Sequence, residues 1–155
     1  MGKALSYDLE RTENGCVKIK GFETRVLITP VHMIAKMYEE MKKVVGPAAD
    51  IMIREVGKSF AEAMVEIAKG EEGENEEMLT TFLEKVGFGR VNINREGEKY
   101  VVEISRSPSC ELNMGKCHFE EGVVKGLLEG TEGGRWRTRT VLFDGKKCVI
   151  EAVPM

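Results

Sequence analysis

The chain contains no glutamine, and glutamate and lysine abound in its place. Scarce thermolabile amides beside many charges read as a thermophilic composition. No apolar run approaches the ~18 residues of a membrane span, so none is expected. The opening MGKALSYDLE lacks the apolar core of a secretory signal, and a cytoplasmic protein is expected. Residues Met1–Ser6 do spell M-G-x-x-x-[ST], a myristoylation pattern too short to weigh alone. Excess positive charge is missing too. The net charge of −3 and pI near 5.6 give no general pull toward nucleic acid or an anionic membrane. There is no C-x-x-C knuckle, G-x-G-x-x-G, P-loop, H-E-x-x-H or G-x-S-x-G, and no paired carboxylates announce an acid–base couple. The standard dinucleotide, phosphate-loop, zinc-protease and serine-hydrolase signatures are therefore absent.

What is present suffices for one domain over residues 1–155, with 1–15 read as flexible: a hydrophobic content of 42% can form a core. Cys16 to Ile28 is β-branched and partly alternating, which predicts one or two short strands turning near Gly21. Thr29-Pro30 has the chemistry of a helix start. Ile34, Met37, Met41, Val44 and Val45 then recur at helical spacing until Gly46-Pro47. A second helix is expected from Ala48 to Lys69. Its wide apolar arc suggests a central position, and Gly57 in its middle implies close approach of another element. The run GEEGENEE from Gly70 to Glu77 reads as a solvated loop without EF-hand spacing. A third helix, Glu76 to Val86, should follow. The period then changes to two. One hairpin spans Val91 to Ser105, a helix runs from about Lys116 to Glu129, and a second hairpin turns at Asp144-Gly145. The fold class is α+β: N-terminal strands and helices packed on a C-terminal antiparallel sheet of two hairpins joined by a crossover helix.

The chemistry-bearing residues cluster late. Four cysteines without an export signal suggest thiols. Cys110 and Cys117-His118 flank the start of the crossover helix. Cys148 opens the last strand, which must lie beside that helix if the sheet is continuous. Three soft ligands and an imidazole suit tetrahedral zinc, so Cys110, Cys117, His118 and Cys148 are the candidate metal set. Two residues adjacent on a helix diverge by about 100°, so Cys117 and His118 rarely share one ion inside a helix, a constraint that loosens at a helix N-terminus. Buried cysteines packed as small hydrophobes are the alternative. A Cys117 nucleophile with His118 as base is another, without a third group to orient it. His32 reads as a surface histidine. Met33, Met37 and Met41 form a stripe that fits a core or an adaptable apolar pocket. Met41, Phe60, Met64, Phe82 and Phe119 are the candidate ligand-lining side chains. Arg135, Arg137 and Arg139 alternate on one strand face and read as solvated rather than as a nucleic-acid surface.

Cys117-x-Phe119-x-x-Gly122, the apolar helix behind it and the closing hairpin with Cys148 resemble the 4-vinyl-reductase-like (hydrocarbon-binding) domain family. Its relatives include TRAPP vesicle-tethering subunits and haem nitric-oxide-binding sensors. RVLITPVHMI and IREVGKSFAEAM are similar to its N-terminal half, so the resemblance runs from about Val17 to Val153. It implies a homodimeric, non-catalytic binder of a small hydrophobic molecule, a sensor or carrier, with zinc held by the motif cysteine and an E-x-x-C…C pattern. Cys117 and Cys148 match the outer members. Arg137 and Thr140 stand where the middle ones belong, leaving Cys110 and His118 as local substitutes. An enzyme acting on a tetrapyrrole or other vinyl or aromatic compound, and a protein-interaction scaffold, are the alternatives.

Overall fold

A computed structural model describes residues 9–19, 25–68, 80, 83–84, 87–112 and 114–155. The chain divides into two compact units, Met1–Pro30 and Val31–Met155. The first holds a three-stranded antiparallel sheet of β1 (Leu9–Arg11), β2 (Val17–Ile19) and β3 (Arg25–Val26). The turn between β1 and β2 is closed by Thr12, whose Oγ1 accepts the Cys16 N–H at 3.1 Å. β1 lies within the stretch that the sequence leaves as flexible. The turn expected near Gly21 and the myristoylation pattern lie outside the described residues.

The second unit opens with α1 (His32–Val45) and, after a single tight turn at Gly46–Ala48, α2 (Ala49–Ala68). Thr29 does not cap α1. The helix starts two residues beyond Pro30, with Val31 at its N-cap and no side-chain cap. Of the third expected helix, Thr80, Leu83 and Glu84 are helical and the remainder lies outside the described residues. The hairpin of β4 (Arg90–Glu96) and β5 (Lys99–Ser105) follows. A four-residue helix that periodicity could not reveal, α3 (Pro108–Glu111), leads to the crossover helix α4 (His118–Thr131). The second hairpin, β6 (Trp136–Phe143) and β7 (Lys147–Pro154), completes an antiparallel sheet of order β4-β5-β7-β6. The α+β architecture of two hairpins around a crossover helix is thus the one expected.

Alternation sets the sheet's inner face. Tyr100, Val102 and Ile104 of β5 and Cys148, Ile150 and Ala152 of β7 are buried. The arginine face of β6 is solvated, as its alternation implies: Arg137 and Arg139 are exposed while Trp136 is buried. The central helix is α4, not α2. Nearly every residue from Phe119 to Leu128 is buried, because one side of α4 meets the sheet and the other meets α2. The second contact needs small residues. A Cβ at Gly122 would lie 1.9 Å from the Arg54 carbonyl oxygen, and one at Gly57 only 2.2 Å from that of Phe119. Helix backbones can approach this closely only where the residue facing the neighbouring backbone is glycine. α2 buries one stripe, Ala49, Ile53, Gly57 and Ala61, while Ile51 and Met52 stay exposed. Its wide apolar arc is therefore only partly used within the chain.

Candidate functional site

Three of the four proposed metal residues meet. Cys117, the N-cap of α4, is disulfide-bonded to Cys148 of β7. The Cys110 sulfur of α3 lies 3.7 Å from that of Cys148. Ser107 Oγ is a further 3.3 Å neighbour of Cys148, and Phe143 packs against the group. Where the sequence suggests four thiols, the structure leaves two, Cys110 and Cys16. The sheet brings Cys148 to the mouth of α4, and that proximity is not readable from spacing.

Sequence reasoning missed Glu120. Its carboxylate and the Cys117 and Cys148 sulfurs all lie within 4.8 Å of one another. It is fully buried. The Ser109 N–H donates to one of its oxygens at 2.8 Å and the Ser109 hydroxyl to the other at 2.6 Å. Burial pushes its pKa up, and the Ser109 hydrogen bonds offset that only in part. Burial likewise raises the Cys110 thiol, with the nearby Glu120 charge adding to it. A signal for Glu120 existed in principle, because residues three apart share a helix face.

His118 is not in this group. One step along the helix turns it toward α2. Its Nδ1 lies 2.9 Å from Arg54 Nη2. Arginine can only donate, so in a neutral ring Nδ1 accepts and Nε2 carries the proton. Nε2 sits 3.2 Å from Asp50 Oδ2, a contact without hydrogen-bond alignment. Asp50 also accepts from the Tyr38 hydroxyl of α1. That contact and burial, the larger effect, push the Tyr38 pKa up to about 12. Glu121 closes the network. It accepts Arg54 Nε at 2.9 Å, and its other oxygen accepts the Thr140 N–H at 3.0 Å and hydroxyl at 2.6 Å. Burial alone would raise its pKa. The neighbouring His118 ring, the hydrogen bonds from Thr140 and the Arg54 charge outweigh it and hold the carboxyl at about 2. This network ties α1, α2, α4 and β6 together.

The ligand-lining candidates fall into two places. Phe60 and Phe119 join Phe88, which the sequence did not single out, in an aromatic cluster whose centroids are 5.7–6.1 Å apart. Met41 and Met64 pack at the margin of the core. Phe82 lies outside the described residues. Among the described residues an apolar void lies elsewhere, between Val124, Leu127 and Leu128 of α4 and Ile93, Tyr100 and Val102 of the sheet, with Leu83 beside it. Its volume is about 10 Å³, at the lower limit for a single water.

Among solved structures, the chain is similar to the phenol-responsive sensory domain of the transcription activator PoxR, determined with phenol. The TM-score is 0.74 at 17% identity, over 94% of this chain and 84% of that one. It is also similar to a vinyl-4-reductase family protein from Methanocaldococcus jannaschii, with TM-score 0.58 and 18% identity over 86% and 85% of the two chains. The chain has the 4-vinyl-reductase-like fold. A Cs H-NOX variant matches at TM-score 0.52 and 12% identity, over 87% of this chain and 78% of that one. No family model and no curated protein sequence matches. At such identities it is the fold that is shared. Among the described residues no helix is long and apolar enough to cross a membrane.

Proposed function

We propose that this fold binds a small hydrophobic molecule, an aromatic ring above all, as a non-catalytic sensor or carrier unit. The observation that carries the reading is the likeness to the phenol-responsive domain across 94% of the chain. The all-apolar void beneath α4 supplies a place for the ring. At about 10 Å³ the void must enlarge to admit one, by a shift of Leu83 or of α4 relative to the sheet. Thermal denaturation with phenol, indole and benzene tests this. Ligand at one hundred times its dissociation constant should stabilise by about 2.7 kcal/mol, a rise of several degrees in Tm. Val124→Ile, which adds one methylene at the void, should weaken the rise while circular dichroism stays native. No rise with any of the three compounds at saturation sinks the reading.

Zinc is the second proposal. The fit depends on the state of the sulfurs. Reduced, Cys117 and Cys148 offer two thiolates beside the Glu120 carboxylate and the Cys110 sulfur, a donor set suited to tetrahedral Zn²⁺. His118, committed to Arg54 and Asp50, stands outside that set. When bound, zinc would supply a structural crosslink in place of the disulfide. Elemental analysis of protein reduced and exchanged against zinc should find one ion per chain, and Glu120→Gln should weaken its retention. Reduced protein that retains no zinc rejects the site.

A homodimer is the third, and it rests on the apolar corner where α1 meets α2. Val44 is 82% exposed and Ile51 61%, with Val45 and Met52 beside them.

A further inference from the structure

The disulfide is out of reach of solvent: Cys117 and Cys148 are both 0% exposed. Cys110 is also buried, at 6%, but it lies in the wall of an open cleft of about 770 Å³. Cys110 therefore touches Cys148 on one side, sulfur to sulfur at 3.7 Å, and the cleft on the other. Among the described residues, these contacts mark it as the route from solvent to the disulfide.

The cleft is cationic. Arg90, Arg106, Lys146 and Lys147 line it, against Glu111 and Asp144. Asp144 is occupied in part by the backbone N–H groups of Lys146 and Lys147, each 2.9 Å from Oδ1. Lys147 reaches away to Glu103 at 3.2 Å. Arg90, Arg106 and Lys146 have no ion-pair partner among the described residues. Arg106 holds a left-handed backbone, φ 57°, stabilised by its N–H donating to the Lys146 carbonyl at 2.9 Å. That bond joins the end of β5 to the β6–β7 turn and so fixes two cationic segments on one rim. A concave surface of one dominant charge concentrates counter-charged solutes.

We propose that the cleft docks a small anionic thiol, which exchanges with the buried Cys117–Cys148 disulfide through Cys110. In the first step the Cys110 sulfur attacks the Cys148 sulfur, 3.7 Å away, as its proton leaves. The Cys110–Cys148 bond forms, the Cys117–Cys148 bond breaks, and Cys117 leaves as a thiolate that takes up the proton Cys110 gave up. In the second step the thiolate of the docked molecule attacks Cys110. A mixed disulfide forms on Cys110, and Cys148 is released and protonated. A second molecule of the thiol attacks the mixed disulfide, leaves as the small-molecule disulfide, and restores Cys110. The protein disulfide is reduced to two thiols and two small thiols are oxidised to one disulfide. Attack on the sulfur between a nucleophile and its leaving group is the general course of such exchange.

The test uses the oxidised full-length chain and follows free thiols by alkylation and mass spectrometry. The probes are 2-mercaptoethanesulfonate and cysteamine, anionic and cationic, compared at equal thiolate concentration and low salt. The anionic probe is expected to reduce the disulfide about tenfold faster, and 0.5 M salt should remove most of that preference. Lys146→Glu, on an exposed side chain, should narrow it. Cys110→Ser should slow reduction at least tenfold with an unchanged circular dichroism spectrum. Cys117→Ser should yield a Cys110–Cys148 disulfide by peptide mapping, which shows the exchange geometry even where the rate experiment is slow. Equal rates for the two probes overturn the docking site. A Cys110→Ser chain reduced at the parent rate overturns the relay. Neither outcome touches the aromatic-ligand reading, whose readout is a Tm shift with phenol.

Discussion

Glu120 and Glu121 are adjacent, buried and opposite in behaviour. Glu120 has neutral serine donors and no cation beside it among the described residues, so burial dominates and pushes its pKa up. Glu121 has Arg54 Nε and Nη2 against one oxygen and two Thr140 donors on the other, so its charge is favoured in spite of burial. Its folded pKa, about 2, lies below the ordinary 4.5. The stabilisation is therefore complete above about pH 4.5 and drains away as pH falls toward 2. A displacement of that size corresponds to about 3 kcal/mol. Urea denaturation at pH 7 and pH 3 should show more than half of this loss, about 2 kcal/mol, in the parent chain. In Glu121→Gln stability at pH 7 should already be lower by a similar amount, and the fall between the two pH values should be smaller. An identical acid slope in both chains would remove Glu121 from the account.

The α2–α4 pair is held by absence of side chains. Gly122, Gly126 and Gly130 recur every four residues along α4 and meet Arg54, Lys58 and Val65 of α2. The three positions are not equivalent. At Gly122 an added methyl would strike backbone, 1.9 Å from an oxygen that cannot turn aside. At Gly130 it would meet the Val65 side chain at 3.0 Å, which can give way. Gly→Ala favours a helix by up to about 1 kcal/mol, and overpacking costs about 1–3 kcal/mol. Gly122→Ala should therefore destabilise by about 2 kcal/mol or more, while Gly130→Ala should be close to neutral in the same denaturation series. Equal effects would mean that α4 can slide away from α2. The edge strand β6 shows a related economy. The Thr140 N–H donates to Glu121, so the helix covers part of the exposed ladder.

Two features act on the molecule as a whole. The Cys117–Cys148 bond closes a loop with a sequence separation of 31, and in the chain-entropy picture such a crosslink is worth roughly 3–4 kcal/mol. Reduction should lower Tm by several degrees. Zinc added to the reduced chain should recover most of it if the thiolates and Glu120 close on the ion. The second feature is the apolar corner of α1 and α2. Sedimentation should give a dimer at micromolar concentration, and Ile51→Lys with Val44→Lys should give a folded monomer. A parent chain that sediments as a monomer at all concentrations rejects the interface.

Most of the fold was legible in order along the chain. The period-two runs around Glu96-Gly97 and Asp144-Gly145 dictate hairpins, and Gly57 announced a close approach that Phe119 supplies. These are local signals, set by pleat, turn chemistry and helix pitch. The centre of the core was not legible. The apolar arc of α2 is wider than that of α4, yet glycines let α4 sit between two layers. The candidate site divides the same way. Cys110, Cys117 and Cys148 could be named from residue type, but so was His118, which the helix turns toward Arg54 and Asp50 instead. That Cys148 reaches Cys117, that Glu120 joins them and that Cys110 opens on a cationic cleft depends on strand order β5-β7-β6 and on the placement of α3. Those are contacts between residues tens of positions apart, and no local pattern encodes them.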